Sequence, residues 1–269
     1  MSRTRFVQDL AALHDKLEEM ALLAKDAISI AVESLEDLDF GKAKKVFDID
    51  KQLFEMQMDV EQRCLDIIAL QTPVAKDLRR VGTAFKVVTD LDRIGRYATD
   101  IAETTLAFPE REHFKRLVSI PHMADLTVAM VEKAVKALIS EDLAIAEELD
   151  RDDEAVDALY DEIFRELVTH MMDGSLRVVT GAHYILVARY LERIADHAVN
   201  IGERVAYLVT GRRPERGKKV PAKPKPEVPH SDAPPKEEEE EEYSSRLRFC
   251  PLRLSLSLSL SPPRLPRRG

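Results

Sequence analysis

The chain of 269 residues has no tryptophan, only 6% aromatic residues and only two cysteines. With large rings scarce, its 45% hydrophobic content must pack through Leu, Ile, Val, Met and Ala, a mixture that favours helices. Cys64 lies in an apolar helical pattern and Cys250 in an atypical tail, so neither a disulfide nor a metal-binding pair is expected. No stretch approaches the ~20 apolar residues that cross a bilayer. The opening "MSRTRFVQDLAALHDKLEEM" places acids where a signal peptide needs its apolar segment, so a soluble, cytoplasmic protein is expected. A net charge of −9 argues against a general nucleic-acid binder, which needs a basic surface. Glycine-rich phosphate loops, GxSxG, HExxH and CxxC are missing, and the helical segments carry none of the ExxH motifs of di-iron bundles.

Proline is also scarce before Arg212: Pro73, Pro109 and Pro121 stand there, and the other eleven follow. A helical body over residues 5–210 is expected, with a boundary between Phe108 and Pro121. Leu10, Leu13, Leu17, Met20, Ala24, Ala27 and Ala31 alternate spacings of three and four, the seam of a closely packed helix. A second helix is read over Gly41–Leu70, with Val46, Ile49, Leu53, Met56, Val60, Cys64 and Ile67 inward. Pro73 then suits the first turn of a third helix, Val74 to about Ala107. The plan repeats in helices over Met123–Ile139, Asp142–Met172 and Leu176–Leu208, with Gly174 stopping the fifth. The fold class is all-α: two tandem, pseudo-symmetric three-helix bundles over residues 5–108 and 114–210. Residues 212–269, rich in Pro, Lys, Glu and Arg, are expected to form a disordered tail.

The repeat is visible in the residues themselves. Leu91, Arg93, Ile94, Ala98, Ile101 and Glu103 of "TDLDRIGRYATDIAETT" recur as Leu191, Arg193, Ile194, Ala198, Ile201 and Glu203 of "RYLERIADHAVNIGERV". In the second copy Glu192, Asp196, Asn200 and Glu203 follow one side of the helix. Folding back about Gly174 brings Asp153, Asp157 and Asp161 of helix five opposite them. Two facing acidic lines repel unless protons, basic partners or cations intervene. Carboxylates with Asn200 and His197 suit Mg²⁺, Mn²⁺ or Fe; a solvated face neutralised by Arg189, Arg193 and Arg204 is the other reading. The first copy offers Asp92, Asp100 and Glu103, but Arg96 replaces the equivalent of Asp196, so a cation site there should be weaker or absent.

"LERIADHAVNIGE" resembles the signature of the PhoU family, and "LDRIGRYATDIAE" its first-repeat counterpart. "LALQTPVAKDLRRV" is similar to the family's turn into helix three, and "DDEAVDALYDEIFREL" to the segment before its second hairpin turn. The resemblance covers nearly all of residues 5–210 in order. It implies two three-helix bundles and a non-enzymatic regulator of phosphate uptake. Such a regulator joins the ATPase subunit of a phosphate ABC transporter to a sensor histidine kinase, and represses the starvation response when phosphate is plentiful. Membrane contact would then be indirect, through these partners. It also implies metal ions (Fe, Mn, Mg or Zn) on E/DxxxD motifs, here Glu192–Asp196 with Asp153–Asp157, whereas the first repeat reads Asp92–Arg96. A homodimer is expected, although no symmetric interface is evident in the sequence. A metal-storing or redox-active carboxylate bundle is the alternative.

Overall fold

The computed structural model describes residues 3–110 and 112–212. Six α-helices and no strand occur among them: α1 (Arg3–Glu36), α2 (Phe40–Gln71), α3 (Ala75–Leu106), α4 (Ser119–Ser140), α5 (Leu143–Met172) and α6 (Val178–Thr210). Helices α1, α2 and α3 pack on one another, α6 and α5 pack on α4 and on each other, and α1–α4 and α3–α6 contacts join the two sets. The all-α architecture of paired three-helix bundles is the one the spacing predicts. The tail and Cys250 lie outside the described residues.

The first seam is buried from Leu13 through Leu17, Met20, Ala24, Ala27 and Ala31, with Leu10 packed partly at its edge. On α2, Val46, Leu53, Val60, Cys64 and Ile67 are buried, and Ile49 and Met56 pack at the margin. The repeat extends to the caps. Asp39 accepts from the Gly41 and Lys42 amides to start α2, and Asp142 accepts from Ala144 and Ile145 to start α5. Just before each cap stands a residue in the left-handed region, Leu38 at φ 50° and Glu141 at φ 52°.

Two boundaries differ from expectation around proline. Pro73 is not in the first turn of α3: Thr72 closes α2 at φ 45°, and α3 begins at Ala75 after Val74. Proline disfavours the right-handed helical region for the residue before it, and Thr72 leaves the helix in the left-handed region instead. Helix α4 instead starts before its proline, with Pro121 in the first turn, where its missing N–H costs nothing. Helix α5 does end before Gly174, which takes φ 76°. Helix α6 begins at Val178, and Leu176 is buried just ahead of it.

The connection between the bundles is tied down. His113 bonds the Tyr184 hydroxyl through Nδ1 at 2.6 Å and the carbonyls of Leu35 and Glu36 through Nε2 at 2.9 and 3.1 Å. Two carbonyls can only accept, so Nε2 carries the proton and Nδ1 accepts from Tyr184. Burial pushes the Tyr184 phenol well above its ordinary range, with Glu110 adding to the shift, and the hydroxyl stays a donor. Phe108 and Phe114 pack around the Tyr184 ring at 5.2 and 5.8 Å, and Glu110 bonds Arg177 and Thr180 at the start of α6.

Candidate functional site

The acidic line of the second bundle is built from α5 and α6. Asp153 is buried on α5, Asp157 is exposed one turn later, and Glu192 and Asp196 are half-buried on α6. Burial raises the Glu192 carboxyl above its ordinary value; Arg189 opposes this, while Asp196 and Asp157 reinforce it. The structure thus brings Asp157 and Asp196 within electrostatic reach of Glu192. Asn200 is half-buried and Glu203 exposed, and Glu203 stands ~10 Å further along α6 than Asp196 at helical rise.

Arginines occupy the outer side of this line. Arg189 pairs with Glu192, and Arg193 Nη1 meets Asp196 Oδ2 at 3.2 Å. The Arg189 guanidinium also lies over the Tyr160 ring at 5.8 Å. The third candidate, Arg204, has its Nε buried without a hydrogen-bond partner. Among the described residues, no three His, Cys, Asp or Glu side chains are arranged to hold a metal ion.

The first bundle carries a related cluster with a member that sequence reasoning missed. Asp50 of α2 faces Asp92 and Arg96 of α3, and Arg96 Nη1 reaches Asp50 Oδ2 at 3.2 Å. Gly95 permits this proximity: a side chain there would strike Leu53, so the two helices meet closely beside Asp50 and Asp92. The Oδ1 atoms of Asp50 and Asp92 are both buried without a hydrogen-bond partner. Burial raises Asp92, opposed by Arg96 and supported by Asp50. Burial and Glu103 likewise raise Asp100. Asp50 occupies on α2 the place that Asp153 occupies on α5, beside the buried pair Leu53 and Val156. Aligning helix two with helix five would have found it.

The bundles meet along α3 and α6, and polar pairs repeat across that seam. Asp90 Oδ1 bonds His197 Nδ1 at 2.9 Å, so His197 serves as a half-buried seam residue. The repeat equivalents of these two residues, Tyr190 and Tyr97, stack at 6.1 Å. One ion-pair-type contact and one aromatic contact therefore occupy symmetry-related places. Leu91, Ile94, Ala98 and Ile101 and their copies Leu191, Ile194, Ala198 and Ile201 are all fully buried. The shared apolar letters of the repeat are core letters, while the shared Arg93/Arg193 and Glu103/Glu203 are exposed.

Comparison with known proteins agrees with this architecture. The PhoU domain model matches residues 17–105 and 120–205, one match in each bundle. A phosphate-specific transport system accessory protein PhoU homolog from Clostridium acetobutylicum is 34% identical over 214 residues, covering 79% of this chain and 98% of that protein. The corresponding protein from Pseudomonas aeruginosa is 35% identical over 208 residues, covering 77% and 86%. The crystal structure of PhoU from Pseudomonas aeruginosa superposes with a TM-score of 0.73 at 35% identity, covering 77% of this chain and all of that one. That of the phosphate transport system regulatory protein PhoU from Streptococcus pneumoniae also gives 0.73, at 26% identity, covering 78% and 99%. With both bundles matched, and relatives spanned almost end to end, the chain belongs to the PhoU family.

Proposed function

We propose that this chain is a non-enzymatic regulator of phosphate uptake and of the phosphate-starvation response. It acts by protein contact on the cytoplasmic side, between the ATPase subunit of a phosphate ABC transporter and a sensor histidine kinase. Its effect is repression when phosphate is plentiful. The observation that carries this reading is the PhoU match in both bundles, together with relatives named as accessory proteins of phosphate-specific transport. The fold suits it, because helices of 22 to 34 residues present long faces to partners. No helix among the described residues is long and apolar enough to cross a membrane, so membrane contact in this reading runs through the partners. In a bacterial strain lacking its own PhoU gene, a starvation reporter should be active at high phosphate, and this chain should silence it. A reporter that stays active despite expression of the chain would contradict the reading.

A second reading is favoured by the buried carboxylates. All-oxygen donor sets suit hard cations, and burial that raises Glu192 and Asp92 creates a charge problem that a cation would relieve. We infer that the second bundle is the better holder, through Asp153, Asp157, Glu192 and Asp196, once Arg189 and Arg193 turn outward. Arg96 already supplies the positive charge in the first. A specific cation stabilises by mass action, so Mn²⁺, Fe²⁺, Mg²⁺ or Zn²⁺ should raise the melting temperature. Asp153→Asn with Asp196→Asn should abolish that rise, and Asp92→Asn should leave most of it. No rise with any of the four, or equal losses in the two variants, would contradict the assignment.

A further inference from the structure

A cleft of about 470 Å³ opens at the end of the molecule where α3 begins and α4 ends. One wall is the first turns of α1: Phe6 and Leu10 pack partly on the core, Val7 is exposed at the lip, and His14 stands one turn further along. The other wall is Asp77 and Arg80 of α3, with Ile139, Ser140 and Glu141 at the end of α4. Arg80 is committed to Glu141 and Asp77, but the Asp77 carboxylate remains 43% exposed. Burial lowers the His14 imidazole below its ordinary value against the pull of Glu141, so the ring is neutral at pH 7.

The repeat supplies a second version of this place. The register that sets buried Leu17, Met20, Ile28 and Leu35 of α1 on buried Ile120, Met123, Val131 and Leu138 of α4 pairs the ends of the two helices. That of α3 on α6 pairs Asp77 and Arg80 with Arg177 and Thr180. At the second place the chain closes the space with its own connection. Glu110 bonds Arg177 and Thr180, His113 bonds the carbonyls of Leu35 and Glu36, and Phe108 packs on Tyr184. At the first place the early turns of α1 bring Phe6, Val7 and Leu10 instead of polar Glu110 and His113, and Ala84 stands where Tyr184 does. The cleft is the open counterpart of a site that a peptide segment closes elsewhere in the same chain.

The walls define what fits. The amides of Glu141 and Asp142 take the carbonyls of Leu138 and Ala137, so those of Ile139 and Ser140 have no backbone donor among the described residues. Carbonyls at a helix C-terminus favour donors and positive charge. Asp77 reverses the sign of Arg177, so the group that takes the role of Glu110 must be basic rather than acidic. Neutral His14 does not oppose a cation, and Phe6, Val7 and Leu10 suit an aromatic ring beside it.

We propose that this cleft binds an extended peptide segment of a partner protein, carrying a basic side chain near an aromatic one, much as Phe108, Glu110 and His113 close the matching site within the chain. The preference follows from the cleft's own residues and holds whichever protein supplies the segment. The probes are the synthetic peptide LAFPEREHFKR, which copies this chain from Leu106 to Arg116, and its Glu110→Lys form. Calorimetry with the full-length chain should show the Glu110→Lys peptide binding about tenfold more tightly than the unchanged one. Asp77→Arg should reverse that order. Val7→Arg, at an exposed position where packing is untouched, should weaken the Glu110→Lys peptide about tenfold. Binding of neither peptide, an order that Asp77→Arg leaves unchanged, or indifference to Val7→Arg overturns the proposal. So does phenethylamine or arginine amide binding as tightly as the peptide, which would assign the cleft to a small amine.

Discussion

Tyr184→Ala should lower unfolding stability by about 3–5 kcal/mol, the cost of deleting a large buried ring. Tyr184 is fully buried, and three partners from the connection between the bundles close on it: Phe108, His113 and Phe114. Losing the ring opens a cavity and also releases His113, which otherwise reaches the carbonyls at the end of α1. The equivalent position of α3 holds Ala84, so no matching anchor exists at the other bundle. Tyr184→Phe isolates the hydroxyl. It should cost only about 1–2 kcal/mol, the penalty of leaving half-buried His113 Nδ1 without its donor. Urea unfolding measures both, and limited proteolysis between residues 108 and 118 should accelerate strongly in the alanine variant alone. Equal stability of wild type and Tyr184→Ala would show that the connection is not anchored there.

Glu141→Ala should cost about 2 kcal/mol at neutral pH, because a partly buried carboxylate joins two cations. Its Oε1 meets Arg80 Nε at 2.5 Å and its Oε2 meets Lys76 Nζ at 2.5 Å, tying the start of α3 to the turn before α5. Glu141→Gly should cost about 1 kcal/mol less, since φ 52° is free for glycine and strained for alanine. Burial alone would push the Glu141 carboxyl up, but the Arg80 and Lys76 bonds outweigh it and hold the carboxyl below its ordinary value. A depressed folded value means the stabilisation is complete above the unfolded carboxylate value and is lost as pH falls through the folded one. The gap between wild type and Glu141→Gln should therefore be full at pH 7 and shrink in strong acid. Asp92 runs the other way: its folded value is raised, so its penalty is present at neutral pH and is relieved as pH falls.

What the sequence could and could not reveal follows from how local each determinant is. The helices and their repeat were legible because core residues at spacings of three and four must recur wherever a long helix is half-buried. The same logic placed Asp157 beside Glu192, since folding about Gly174 fixes the register of α5 and α6. Asp50 was missed because its meaning depends on Gly95, one turn past Asp92 on another helix, admitting α2 at close range. The Tyr184 cluster was missed for a different reason. Residues 108 to 118 have no period, and only tertiary packing reveals that His113 bridges two helices. The arginines show the limit of charge patterns. Arg189, Arg193 and Arg204 looked equivalent on paper, yet the first two pair with Glu192 and Asp196 while the Arg204 Nε is buried without a hydrogen-bond partner. Spacing identifies which residues share a face; it does not say which counter-charge arrives first.

The central claim is that this PhoU-family chain regulates by contact with transport and sensing proteins. The full-length chain, tagged and expressed in a bacterial strain lacking its own PhoU protein, should be cross-linked in cells and recovered at high and at low phosphate. The account predicts that mass spectrometry finds the phosphate transporter ATPase and the sensor histidine kinase together at high phosphate. Absence of both under either condition would contradict it.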